Sequence, residues 1–310
     1  MAKVSVIVPI YGVEKYIERC ARSLFEQTLD DIEYIFINDC TKDSSVEILR
    51  RVLEDYPIRK NQTRIIDMPT NSGLPTVRKH GIQLATGDFL IHCDSDDWVD
   101  KEAYEIMYNK AIVDNADLVI SNFYVSDGIN HKIYHNKMDE SLSNIYFELI
   151  NVWTHLVKRS LYDNIIYPIS NMFEDRLFCI QLSYYSQNIS FINKPLYYYY
   201  SNPTSICRVF TEEKCYSRYI QAKDNVDKII AFLEAKDLLD TFKIEIIRLK
   251  FIARHQLAPI TNIDKYYKIW KECYPEINKT FFFLKKIKFS ERIRFILVYF
   301  RLFHFFRGIE

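Results

Sequence analysis

Glycine is scarce in this chain, six residues in 310. So few glycines leave no room for a glycine-rich phosphate loop, and those present are expected where the backbone requires them. Net charge is absent as well: Lys+Arg and Asp+Glu both number 41. No global field draws such a chain to a polyanion, so nucleic acid is not an expected partner. The seven cysteines are scattered and odd in number, and no two have the spacing of a metal knuckle. That excludes a disulfide framework and a structural zinc site, and it fits a reducing cytoplasm. No apolar run reaches the roughly 20 residues that span a bilayer. The opening Met1 to Pro9 has one positive charge and a short apolar run. It reads as a first buried strand and not as a signal peptide.

What is present is an ordinary globular composition, 48% hydrophobic and 26% charged, in a chain long enough for one large domain with an appendage. The first 125 residues alternate between two periods. Val4–Pro9, Glu33–Asn38, Arg64–Met68, Asp88–Cys93 and Asp117–Val125 are apolar runs of strand length. Between them, Val13–Gln27, the segment after Asp43-Ser44-Ser45, Pro75–Ala85 and Lys101–Asp114 have helical spacing. The alternation predicts an α/β domain with a mostly parallel sheet, and ligands in such sheets bind beyond the carboxyl ends of the strands. Gly128-Ile129-Asn130 marks a hairpin turn, Asn171–Ser186 contains a helix, and Pro195–Ser201 is a Tyr-rich strand. Beyond Phe210 the pattern is helical, with breaks near Asp240, Pro259 and Pro275.

The strand ends carry the chemistry. Asp94-Ser95-Asp96-Asp97 follows an apolar strand directly. Three carboxylates in four residues repel one another unless a cation neutralises them, and Mg²⁺ or Mn²⁺ takes such oxygens while keeping sites for phosphate. A solvated turn in which Asp97 or Asp100 caps the next helix is the alternative. Asp39, at the end of another strand, is placed to accept hydrogen bonds from a nucleobase edge; the neighbouring Asp43 and Ser44 read as a helix cap. Asn71-Ser72-Gly73 precedes a helix whose early turns carry Arg78, where a diphosphate would be favoured.

Val4-Ser5-Val6-Ile7-Val8-Pro9-Ile10-Tyr11, Asn38-Asp39-Cys40-Thr41-Lys42-Asp43-Ser44, Asn71-Ser72-Gly73-Leu74, Arg78, Gly81, Ala85-Thr86-Gly87-Asp88 and Asp94-Ser95-Asp96-Asp97 together resemble glycosyltransferase family 2 in order and spacing, over roughly residues 3 to 205. The resemblance implies a GT-A type nucleotide-binding mixed sheet flanked by helices, a divalent metal (Mn²⁺ or Mg²⁺), and a single displacement that inverts the anomeric centre. It implies that Pro9 and Tyr11 pack on the base, that Asp39 bonds its edge, that Asp94 approaches the ribose and that Asp96 binds the metal. Asn71, Arg78 and Ser95 complete the donor set. The chain departs from the family in having Asn38-Asp39-Cys40 for Asp-Asp-Gly and Thr76-Val77-Arg78-Lys79-His80 for an Ala-Arg-Asn run.

Direct displacement needs a base near the acceptor hydroxyl. Glu174 and Asp175 are adjacent carboxylates at a helix start, and their side chains diverge by about 100°, so only one can aim at the substrate. The resemblance makes Asp175 the base; Glu174 is the second candidate, with helix capping as its alternative. Trp153 and His155 match a segment that lines the acceptor side in relatives, and a core tryptophan with a satisfied histidine is the other reading. Arg208 follows in a segment resembling a loop that closes over the diphosphate. These assignments divide the chain into a catalytic domain, 1–209, with a donor half (1–100) and an acceptor half (101–209), and a helical region, 210–310.

From Leu284 onward, seven basic residues face only Glu291 and Glu310, interleaved with phenylalanines. Such a segment suits peripheral contact with an anionic membrane, at the inner face of the cytoplasmic membrane; docking on the fold is the alternative. The expected function is a metal-dependent hexosyltransferase that moves a sugar from a nucleotide-diphosphate donor, UDP by expectation, to a hydroxyl of a glycan or lipid-linked glycan in surface polysaccharide synthesis. A nucleotidyltransferase and a catalytically silent nucleotide- or glycan-binding module are the competing readings. Val8 to Val13 offers only Gly12 toward the phosphate loop the first would need.

Overall fold

The computed structural model describes residues 2–135, 146–202, 210–280 and 289–303. The chain forms two compact units, one of Met1–Ile169 with Phe178–Pro203, the other of Ser170–Leu177 with Thr204–Glu310.

The first unit is built on β1 (Val4–Ile10), β2 (Ile32–Asn38), β3 (Thr63–Asp67), β4 (Phe89–His92), β5 (Trp98–Val99), β6 (Leu118–Ser126), β7 (His131–Tyr134), β8 (His155–Lys158) and β9 (Ile189–Tyr200). Their order across the sheet is β3-β2-β1-β4-β8-β6-β9-β5, with β7 on β6. The first four are parallel, as the alternation predicts. β8 then runs antiparallel to both β4 and β6, β9 is parallel to β6, and β5 is antiparallel to β9. The sheet is therefore mixed, not mostly parallel. The reversal rests on β8, four residues long and too short to show a period in the sequence. β1 is buried along almost its whole length, as a central parallel strand must be.

The helices of this unit are α1 (Ile17–Phe25), α2 (Ser45–Glu54), α3 (Pro57–Lys60), α4 (Leu74–Leu84) and α5 (Ala103–Val113). α1 buries Ile17, Cys20, Ala21, Leu24 and Phe25; Ile17, Cys20 and Leu24 belong to the apolar face that the spacing predicts together with Val13 and Tyr16. Asp43, not Ser44, serves the start of α2: its Oδ1 accepts from the Ser45 N–H at 3.2 Å and from the Ser45 hydroxyl at 2.6 Å. A further helix, α6 (Glu174–Tyr185), begins within the segment that belongs to the second unit.

Gly73, Gly81 and Gly87, within fifteen residues of one another, serve two needs. Gly73 has φ +80° immediately before α4. Gly81 and Gly87 instead allow close approach. A Cβ on Gly81 would lie 2.5 Å from Ile7 Cγ2, and one on Gly87 would lie 2.7 Å from the Ser5 backbone nitrogen. α4 thereby packs directly on β1, which positions the loop between β3 and α4.

The second unit contains α7 (Glu212–Glu234), α8 (Lys243–His255), α9 (Asp264–Glu272), the short α10 (Ile277–Thr280) and α11 (Phe289–Tyr299). Thr211 caps α7 by accepting the Lys214 N–H. The core gathers around Trp270, Phe251 and Phe295. The Arg254 guanidinium lies 4.1 Å from the Trp270 ring centroid and donates to Asn278 Oδ1 at 2.8 Å. Burial lowers its pKa to about 10. α11 buries Phe295 and Val298 but leaves Phe289, Ile293, Ile296 and Phe300 exposed.

The packing at Gly81 is open to test. Gly81→Ala places its methyl against Ile7, so we expect a loss of about 1–3 kcal/mol in urea unfolding, as for other overpacked cores. Stability equal to that of the parent would show that α4 does not need this approach.

Candidate active site

The loops that follow β1 and β2 are tied together by hydrogen bonds at the carboxyl ends of the strands. Gly12 N–H donates to Thr41 Oγ1 (2.9 Å), Val13 N–H to Ser45 Oγ (3.1 Å) and Glu14 N–H to Asp43 Oδ2 (3.0 Å). Pro9 is half-buried at the end of β1, and the Tyr11 ring beyond it is 55% exposed. An aromatic face is thus open where the expectation places a base.

Asp39 is buried, and its carboxylate gathers the next loop. Ser72 N–H donates to Oδ1 at 2.7 Å and Gly73 N–H to Oδ2 at 2.9 Å, while Asn71 Nδ2 bonds the Asp39 carbonyl. Each carboxylate oxygen has a second lone pair, so these bonds leave acceptor capacity for a ligand. Cys40 stands where the family usually has glycine. It adopts φ +57°, the left-handed conformation that explains the usual glycine, and its thiol bonds the Met68 carbonyl at 3.0 Å.

Arg78 is fully buried on α4, and its Nη2 donates to Asp94 Oδ1 at 2.6 Å. The expectation placed it against a diphosphate; here its partner is the Asp94 carboxylate. The cluster Asp94-Ser95-Asp96-Asp97 divides its three carboxylates among three tasks. Asp94 pairs with Arg78. Asp97 is buried and turned inward, accepting from the Tyr197 hydroxyl and from the Tyr200 N–H, each at 2.6 Å. Burial, with Asp96 and Asp94 beside it, pushes the Asp97 pKa well above the carboxylate range. Among the described residues, the side chain bonded to the Asp96 carboxylate is Asn202, at a long 3.5 Å. Burial and then the Asp94 charge raise the Asp96 pKa. A cation beside Asp96 would oppose both causes. Ser95 is buried within the loop.

No group of three Asp, Glu, His or Cys side chains that could hold a metal occurs among the described residues. Mg²⁺ is usually held by one or two carboxylates together with substrate phosphates, with no all-protein cage, and the same oxygen chemistry suits Mn²⁺. Asp96 fits that pattern as the protein's ligand.

The acceptor-side candidates are arranged differently from one another. Trp153 is 5% exposed, stacked on Tyr197 at 4.4 Å and edge-on to Phe123 at 4.8 Å. Its packing is that of a core tryptophan, with no open face for a sugar. His155 is buried, and its Nδ1 lies 2.6 Å from the Asn151 carbonyl and so donates to it. Glu174 and Asp175 open α6 within the second unit; Glu174 is buried and Asp175 half-buried. Asn225 Nδ2 holds the preceding segment by donating to the carbonyls of Ser170 and Met172, and Gln221 accepts the Met172 N–H. Arg208 lies outside the described residues.

Sequence reading missed Tyr197, Arg19 and Trp98. Tyr197 is one of four consecutive tyrosines in the Tyr-rich strand, yet its hydroxyl donates to Asp97 and also accepts the Asp94 N–H at 3.1 Å. Arg19 lies on α1 outside its buried face. Neither carries a local signal, because each partner lies more than seventy residues away in the chain.

Comparison with known proteins agrees with this geometry. The family model "Glycosyl transferase family 2" matches residues 5–173. The chain is 31% identical over 274 residues to the uncharacterized glycosyltransferase EpsJ of Bacillus subtilis, covering 82% of this chain and 76% of that protein. It is 30% identical over 230 residues to the glycosyltransferase GlyA of Streptococcus pneumoniae, covering 68% of this chain but only 32% of that longer protein. In fold it is similar to S. aureus TarS 1–349 in complex with UDP-GlcNAc, with a TM-score of 0.61 at 18% identity, covering 99% of this chain and 92% of that one. These findings set aside the nucleotidyltransferase and silent-module readings. A mixed sheet with an Asp cluster at a strand end, a family match over more than half the chain and a relative of similar extent lead to one assignment: the chain belongs to glycosyl transferase family 2 and is a glycosyltransferase with the GT-A fold.

Proposed function

We propose that this enzyme transfers a hexosyl group from a UDP-sugar to a hydroxyl of a glycan or lipid-linked glycan, with inversion at the anomeric carbon, in surface polysaccharide synthesis. The observation that carries this reading is the division of labour in the Asp cluster, with Asp94 paired to Arg78, Asp97 turned inward and Asp96 left for a cation. The UDP-GlcNAc in TarS supports a UDP donor. Tyr11 and Pro9 receive the base, with Asp39 and Asn71 at its edge. Asp96 would hold Mn²⁺ or Mg²⁺, which when bound neutralises charge on the diphosphate leaving group. Arg208 is proposed to close over the same group, and His155 to border the acceptor. Asp175 takes the proton from the acceptor hydroxyl as its oxygen bonds to the anomeric carbon and the bond from that carbon to the diphosphate oxygen breaks. Glu174 serves as a helix-start carboxylate beside it.

We further propose that α11 gives the enzyme peripheral contact with an anionic membrane at the cytoplasmic face. Phe289, Ile293, Ile296 and Phe300 follow i, i+4, i+7, i+11 spacing, so they form one exposed stripe, while Phe295 and Val298 on another face enter the core. Arg292, three residues after Phe289, adjoins the stripe at helical spacing, while Arg301 pairs with Asp264 at 2.7 Å. Docking and membrane contact, alternatives in the sequence, are compatible on this helix. No helix among the described residues is long and apolar enough to cross a membrane.

Three outcomes are expected. Asp96→Ala should abolish Mn²⁺-dependent UDP binding in calorimetry and lower transfer by roughly 10²–10³-fold, the scale of a lost metal contribution; donor and Mn²⁺ affinity equal to wild type would remove Asp96 as the ligand. Asp175→Asn should keep donor affinity and lower kcat by about 10²-fold, and unchanged kcat at saturating acceptor would exclude it as the base. Full-length protein should sediment with phosphatidylserine vesicles at low salt, and Phe289→Asp with Phe300→Asp should prevent this without changing the melting temperature. Failure of the parent protein to sediment would end the membrane proposal.

A further inference from the structure

We propose that Arg19 is a positioning residue for donor binding, holding the Asp94–Asp97 loop so that the Asp96 carboxylate points to the cation and diphosphate. The inference rests on the reading of Asp96 as the metal ligand. Arg19 projects from α1, beside the buried stripe that seats this helix. Its Nη2 donates to the backbone carbonyl of Asp96 at 3.0 Å. The guanidinium carbon lies 3.6 Å from the Trp98 ring centroid and 4.9 Å from that of Tyr200. One planar group thus touches the residue at the centre of the loop, the ring two residues after it, and the end of β9.

The contact continues into the sheet. Trp98 stacks on Tyr198 with centroids 5.1 Å apart and planes within 10°, and Tyr198 stacks on Tyr124 at 4.6 Å. The edge of His131 meets both Trp98 and Tyr198. A column of guanidinium, indole and two phenols therefore links α1 to β5, β9 and β6. β5 has only two residues and pairs with β9 alone among the described strands. A strand so short has few ladder bonds to fix it, and the column supplies the missing constraint.

The choice of acceptor atom explains what Arg19 does. Among the described residues, two guanidinium groups bond the loop. Arg78 pairs with the Asp94 carboxylate, whereas Arg19 bonds a main-chain carbonyl. An ion pair with the Asp96 carboxylate would compete with a metal for its oxygens. A bond to the Asp96 carbonyl fixes the peptide while leaving those oxygens available. Lysine could supply the charge but not the flat donor array that bonds a carbonyl while stacking on an indole.

The test compares Arg19→Met and Arg19→Lys with wild type in three measurements: amide hydrogen exchange across residues 94–100, Mn²⁺ affinity in the presence of UDP by calorimetry, and thermal melting. We expect Arg19→Met to exchange faster across the loop and to bind Mn²⁺ about 10-fold more weakly, the scale seen when a residue supporting a metal ligand is lost. Melting should fall by only a few degrees, and Arg19→Lys should recover little of the Mn²⁺ affinity. Wild-type Mn²⁺ affinity in Arg19→Met overturns the proposal, whatever the melting temperature does. If wild-type protein with UDP takes up no Mn²⁺, the reading of Asp96 fails instead. In that case, unchanged exchange across 94–97 in Arg19→Met independently overturns the positioning role.

Discussion

The site depends on the Asp97 carboxylate being buried where two donors from β9 can reach it. The Tyr197 hydroxyl and the Tyr200 N–H both bond it, and the same hydroxyl accepts the Asp94 N–H. A carboxylate in this setting is costly unless its lone pairs are occupied, so these bonds are a condition for the loop's existence. They join the end of β4 to a strand contributed a hundred residues later. Remove them, and Asp94 and Asp96 become parts of an ordinary acidic turn.

Once Asp97 is fixed, the other charges follow from what remains. Like charges so close together cannot all stay ionised without help. Arg78 supplies that help to Asp94 from inside α4, and α4 can deliver it because Gly81 lets the helix lie against Ile7. Among the described residues no cation pairs directly with the Asp96 carboxylate: Arg19 bonds its backbone carbonyl, and Asn202 makes only a long contact with its side chain. Its raised pKa expresses the same shortage. That charge lies at a strand end, the region where ligands bind in sheets of this type.

The end of β2 shows the opposite arrangement, with one carboxylate meeting two backbone donors. Asp39 holds the loop before α4 by accepting two backbone N–H groups, yet keeps acceptor capacity. The change from glycine to cysteine next to it is tolerated because Cys40 accepts a left-handed backbone and gains a thiol bond to the Met68 carbonyl. The departure from the family pattern therefore changes the chemistry of the loop less than its spelling implies.

The sequence by itself determined the parallel half of the sheet, the buried stripe of α1, the breaks between the C-terminal helices and the position of the acidic cluster. Each is a matter of local periodicity or of neighbours in the chain, and local signals survive without a fold. Only the tertiary structure decided that the sheet turns mixed at β8, that Trp153 is core, and that three aspartates within four residues take three different partners. It also decided that Arg19 and Tyr197 bond the Asp94–Asp97 loop. Their partners lie 77 and 100 residues away, and nothing in the local pattern around either one names them. Burial and hydrogen-bond partnership are properties of the packed chain, and they separate carboxylates that the sequence presents as equivalent.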